Sequence, residues 1–139
     1  MLSHPEVFDR LAEWGARFQR IFTRPVNDVV GTSCARFVSP LTADRHFKLL
    51  ADIPFHRRVP RLNSEPAPGR PKVAFFIGCL IDKIFPEVAR SALHVMEHYG
   101  AGVFVPENQG CCGIPALSSG DTDTFKRLLQ HNLDRFSAV

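Results

Sequence analysis

The sequence predicts an α/β fold: a Rossmann-like βαβα unit with parallel strands, preceded by an α-helical N-terminal segment and a Pro-rich linker. Three observations predict it. Val73 to Ile77 and Val103 to Val105 are short apolar runs of strand length. Between them, Val88, Ala89, Ala92, Val95, Met96 and Tyr99 recur with the period of one helix face. Ahead of them, PRLNSEPAPGRP from Pro60 to Pro71 gathers four prolines and a glycine, the composition of a stiff, extended linker. The boundaries are therefore a helical segment over 1–59, a linker over 60–71 and an α/β domain over 72–139.

The first element is a helix from Ser3 to Phe22. Ser3 with Glu6 makes a capping box, and Pro5 suits the first turn. Val7, Leu11, Trp14, Phe18 and Ile21 follow at steps of four and three, with Phe8 and Phe22 widening the stripe. Arg10, Arg17, Arg20 and Arg24 give the other face a basic tilt, which raises a helix lying on a membrane surface as one use. Acidic residues share that face and the stripe is rich in aromatics, so docking onto protein is the favoured use. Left uncovered, the stripe would promote self-association.

Asn27, Asp28 and Gly31 suggest a turn, and Thr42 can cap a short helix through Phe47, Leu49 and Leu50 that stops before Pro54. Cys34 stands alone here, without a partner at ligand spacing, and reads as structural. After the linker, Val73 to Ile77 is expected to be a strand buried on both faces. Pro86 to Tyr99 is the crossover helix, closed by Gly100, and Val103 to Val105, ended by Pro106, is the parallel strand. Ser118, Ser119 and Gly120 make a turn. Asp121 then caps a last helix whose face Phe125, Leu128, Leu129, Leu133 and Phe136 should cover the sheet.

Composition excludes several classes. A chain of 139 residues supports one domain with a modest core, and 45% hydrophobic with 22% charged residues is ordinary for a globular protein. The net charge of +3 is too small and dispersed to argue for nucleic acid. No apolar run approaches the roughly 20 residues that span a bilayer. Glu6, Asp9 and Glu13 interrupt any signal-peptide pattern. Four cysteines, two of them adjacent, make a poor disulfide framework and favour a reducing cytoplasm, at most peripheral to the inner face of the membrane.

The chemistry is expected at Cys79, Cys111 and Cys112. Parallel strands end on the same edge of a sheet, where open α/β folds bind ligands, so Cys79 after the first strand and Cys111–Cys112 after the second should meet. The spacing is not that of a CxxC redox pair or a zinc finger. Two adjacent thiolates facing a third suit a multi-iron cluster, with Gly78 and Gly113 leaving room beside the backbone. A helix beginning at Pro115 would add a favourable dipole. The alternative is that these are buried core cysteines. His94, Glu97 and His98 match HxxEH, but such a zinc site needs a third protein ligand from elsewhere, and two surface histidines is the simpler reading.

Gly78-Cys79-Leu80, followed by PENQGCCGIPA from Pro106 to Ala116, resembles the cysteine-rich CCG domain family. That family includes the disulfide-cleaving subunit of heterodisulfide reductase and the iron-sulfur subunits of glycolate oxidase and lactate-utilisation enzymes. The resemblance covers roughly Pro71 to Phe136. It implies an electron-transfer iron-sulfur subunit of a flavin-linked 2-hydroxy-acid oxidoreductase, an oxidoreductase component rather than an enzyme alone. Cys79, Cys111 and Cys112 would be ligands of a cluster of the 4Fe–4S type, with Gly78, Gly113 and Pro115 shaping their loops. Its partners would be other subunits or domains, a flavoprotein and a ferredoxin-like domain. Two alternatives stand beside it: a catalytic subunit like that of heterodisulfide reductase, and a docking module that holds zinc. The family pattern closes with a CxxC, and only 27 residues follow Cys112 without one. The chain is therefore expected to be the front part of one such domain, with an incomplete ligand set.

Overall fold

A computed structural model describes residues 5–27, 32–35 and 45–137. The expected caps at Ser3 and Thr42 and the turn residues Asp28 and Gly31 lie outside the described residues. Helix α1 (Pro5–Phe22) forms as its periodicity predicts. Most of its apolar stripe, however, is exposed, with Trp14 65% exposed and Ile21 and Phe22 more than half exposed, while Phe8 is half-buried. Trp14 and Phe18 pack on each other instead, ring centroids 4.8 Å apart. The helix is held through a narrower side. Ala16 is buried there, and the Gln19 side chain both donates to the carbonyl of Leu50 and accepts from its amide, each at 2.8 Å.

The remainder of the expected helical segment contains strands. β1 (Thr23–Asn27), β2 (Thr32–Ala35) and β3 (Phe47–Lys48) form an antiparallel sheet in that order. Phe47 pairs with Ser33, so the short helix expected through Phe47, Leu49 and Leu50 does not form. Three apolar residues are too few to fix a period, and pairing with the β-branched and small residues of β2 decides the matter. Pro25 is tolerated because β1 is an edge strand. A single helical turn, α2 (Phe55–Arg58), then buries Phe55 to 1% exposure.

The Pro-rich stretch is bonded to the sheet rather than spaced away from it. β4 (Leu62–Asn63) pairs antiparallel with β6 (Gly102–Val105), and β5 (Lys72–Ala74) pairs parallel with β6 on its other side. Ser64 continues the contact through its amide to the Val103 carbonyl at 2.9 Å and its hydroxyl oxygen to the Val103 amide at 2.8 Å. Gly102 permits it, because a Cβ there would lie 2.6 Å from the nitrogen of Pro66.

The expected parallel strand–helix–strand connection is present, but within a three-stranded mixed sheet of order β4-β6-β5 rather than the parallel sheet of a Rossmann-like unit. β6 is central and buried throughout, as its apolar run predicts. β5 lies at the edge, so the run from Val73 to Ile77 is buried on one face only: Val73 and Phe75 are half-buried while Ala74 and Phe76 are exposed. Strand pairing ends at Ala74, and the chain turns into a helix that the sequence did not announce, α3 (Gly78–Lys83).

Helix α4 (Pro86–His98) ends at Gly100, whose φ of +74° supplies the expected left-handed cap. Its buried face is rotated from the expected one. Ala89 and Leu93 are buried, whereas Val88, Val95 and Tyr99 are exposed. The main core joins Phe55, Ile77, Ala89, Leu93, Val103 and Val105. After a short helix α5 (Ile114–Ser118), Asp121 caps α6 (Thr122–Phe136) by accepting from the Thr124 amide at 3.0 Å. α6 packs on α5 and the cysteine loop rather than covering the sheet, through Leu128 and Asn132, while Leu129 and Leu133 are exposed.

Candidate metal centre

Two side-chain clamps bring the ends of β5 and β6 together. Gln109, in the loop after β6, accepts from the Ile77 amide at 2.9 Å and donates to the Phe75 carbonyl at 3.2 Å. Asn132, buried on α6, accepts from the Gly110 amide at 2.9 Å and donates to the carbonyls of Cys111 and Leu128 at 2.9 and 3.0 Å. The first clamp ties one cysteine loop to the other. The second fixes the CCG loop to a helix. Between them the Sγ atoms of Cys79 and Cys111 stand 3.6 Å apart.

Two glycines make the local turns. Gly78 has φ +67° at the start of α3, which carries Cys79 in its first turn. Gly113 has φ +85°, and a Cβ there would lie 2.8 Å from the Phe125 ring, so the space beside it is taken by α6. Pro115, exposed, occupies the first turn of α5 as expected.

The three expected residues are not equivalent. Cys79 is half-buried, Cys111 is 6% exposed, and Cys112 faces outward. Cys34 is buried in β2, in the other sheet. His94, Glu97 and His98 are all exposed on α4, with His98 edge-on to Tyr99. Among the described residues, no three histidine, cysteine or acidic side chains converge as a ready metal site.

Burial pushes the Cys79 thiol up to about 11, helped by its hydrogen bond with Cys111 and by the charges of Cys111 and Cys112. Two thiolates 3.6 Å apart repel one another. A cationic metal centre reverses that balance, because a coordinating thiol is deprotonated outright. The donor set therefore fits a thiolate-bound metal group: two converged sulfurs on the wall of a cavity of about 230 Å³, with a third cysteine next in the chain.

The N-terminal segment also lines that cavity, through Phe8, Asp9, His56 and Arg57. There, Asp82 bonds His56 and Lys83, and Lys83 reaches Asp9 on α1 at 2.6 Å. Sequence reasoning missed His56, Asp82, Gln109 and Asn132. Gln109 lay within the PENQGCCGIPA motif, and Asn132 carried a signal of its own: it lies four residues after Leu128, on the buried face of an amphipathic helix, where a polar residue needs partners.

Residues 73–139 match the family model of the cysteine-rich domain CCG. The chain is 42% identical over 68 residues to an uncharacterized iron-sulfur protein of Methanococcus maripaludis, an alignment covering 49% of this chain and 14% of that protein. It is 39% identical over 66 residues to lactate utilization protein A of an Exiguobacterium species, covering 48% and 27%. To a probable glycolate oxidase iron-sulfur subunit of Bacillus subtilis it is 32% identical over 94 residues, covering 66% and 21%. The chain thus spans only about a seventh to a quarter of the length of these relatives. No solved structure matches it.

Proposed function

We propose that this cysteine-rich CCG domain, residues 73–139, holds an iron-sulfur cluster through Cys79, Cys111 and Cys112. In this reading it passes electrons within an oxidoreductase of the lactate- or glycolate-oxidising kind. The observation that carries the reading is the convergence of Cys79 and Cys111 on one cavity wall from the ends of two parallel strands. Names of relatives support the assembly. Two are named as an iron-sulfur protein and an iron-sulfur subunit, and one is named for lactate utilization.

Bound at these thiolates, such a cluster supplies reversible one-electron chemistry whose potential follows burial and hydrogen bonding around the sulfurs. The chain's own residues do the positioning. Gln109 and Asn132 hold the two loops in register, and Gly78, Gly113 and Pro115 set their turns. Further ligands come from a neighbouring segment or subunit, and the outward-facing Cys112 is the residue placed to share a centre with it. Since no helix among the described residues is long and apolar enough to cross a membrane, any membrane contact of the described part would be at its surface. The four free cysteines favour a reducing compartment such as the cytoplasm.

Anaerobic purification followed by iron, sulfide and zinc analysis tests the reading. Iron and sulfide are expected in the unmodified chain and should be lost in Cys79→Ser and in the Cys111→Ser/Cys112→Ser double variant. Zinc in place of iron, or iron that survives both changes, would overturn it.

A further inference from the structure

The cavity beside Cys79 and Cys111 contains a histidine that the electron-transfer reading does not use. Cys79 and Asp82 are three residues apart on α3 and so lie on one side of it, one turn apart. Asp82 grips His56 twice, its Oδ1 accepting from the His56 amide at 2.8 Å and its Oδ2 standing 2.8 Å from Nδ1. A carboxylate only accepts, so the shared hydrogen sits on Nδ1 and the free lone pair on Nε2. His56 lines the cavity, and its side chain is one-third exposed, so water can deliver a proton to Nε2.

Charge around this ring is set by every element packed against it. Asp9 and Glu13 of α1 lie 4.0 and 3.9 Å from Nε2, too far to bond directly. Arg57 of α2 pairs with Glu13 at 2.8 Å, and Lys83 of α3 is shared between Asp9 at 2.6 Å and Asp82 at 2.7 Å. Three carboxylates thus face two fixed cations. One negative charge is left over, and a proton on His56 cancels it. Glu107, Cys79 and Cys111 are the other ionisable side chains that line the cavity.

We propose that His56, oriented by Asp82, is the proton acceptor of this centre: one proton from water binds Nε2 as one electron arrives at the thiolate-held group, and leaves as the electron leaves. The electron comes from a reduced flavin or a second iron-sulfur centre, and no bond to sulfur is made or broken. The inference rests on the cluster reading above. Its physical basis is that negative charge added at Cys79 and Cys111 is compensated by a proton taken up in the same cavity, which His56 lines.

Redox titration of the iron-loaded full chain between about pH 6 and 8 tests it, with iron and sulfide measured alongside. In the unmodified chain, each tenfold fall in proton concentration should lower the potential, by up to about 59 mV for a one-electron step. His56→Gln should keep its iron and show a flat line. Equal slopes in both proteins overturn the inference while leaving the cluster reading intact; absence of iron and sulfide from the unmodified chain overturns both. If His56→Gln loses iron, Asp82→Asn decides. A pH-dependent span displaced toward acid supports the inference, and an unchanged span refutes it.

Discussion

Replacing Asn132 with alanine should unfasten the CCG loop. Asn132 is 9% exposed and satisfies two backbone groups of the loop, the Gly110 amide and the Cys111 carbonyl, neither of which has another partner of comparable geometry among the described residues. Leaving a buried polar group unsatisfied costs about 1–3 kcal/mol. The Leu128 carbonyl keeps its helical bond, so it adds little. The expected loss is roughly 2–6 kcal/mol, which at a urea dependence of about 2 kcal/mol per molar moves the unfolding midpoint down by about 1–3 M. Gln130→Ala, on the exposed side of the same helix, should stay within about 0.5 kcal/mol of the parent. A midpoint shift in Asn132→Ala no larger than that of Gln130→Ala would refute the clamp, as would a changed urea slope that shows the unfolded state to be responsible.

Two more tests probe the walls of the same site. Gly113→Ala must place a Cβ 2.8 Å from Phe125 at φ +85°, whereas Gly120→Ala meets open space at φ +83°. Thermal unfolding should therefore show about 1–2 kcal/mol lost at Gly120 from backbone conformation alone, and clearly more at Gly113. For Asp82, burial alone would raise the carboxyl, but hydrogen bonds from His56 and Lys83 outweigh it and hold the group at about 2, below its usual 3.8. A depressed carboxyl stabilises the fold above its unfolded value and releases that stability as pH falls through the folded one. Between about pH 4 and pH 2 the unmodified chain should lose up to about 2 kcal/mol more than Asp82→Asn, and parallel acid-unfolding curves would remove the assigned pairing.

What could be read from the sequence was local, and what could not was tertiary. The capping aspartate of α6, the glycine that ends α4 and the central strand β6 follow from residues close to one another in the chain. The edge position of β5 does not, because nothing in Val73 to Ile77 says whether one neighbour or two will pair with it. The rotated face of α4 has a similar cause. Val88, Val95 and Tyr99 are as apolar as Ala89 and Leu93, and only the position of the sheet selects between the two stripes. At the site, Cys79 and Cys111 were legible because strand ends in a parallel pair converge. Gln109 and Asn132 were less so, since an amide in a loop and one on a helix declare no partner until the chain has folded.

The least legible part is also the most informative about how the two halves of the chain work together. α1 turns its large apolar residues outward and holds the domain with charge, through Asp9 and Glu13 on Lys83, His56 and Arg57. A helix that only needed burial would dock by its stripe, where roughly 25 cal/mol is gained per Å² of apolar surface. Docking by the polar side leaves Trp14, Ile21 and Phe22 exposed and puts Asp9 in the lining of the cavity that Cys79 and Cys111 share. The N-terminal segment thus contributes to the lining of the cavity beside Cys79 and Cys111, even though the family match begins only at residue 73.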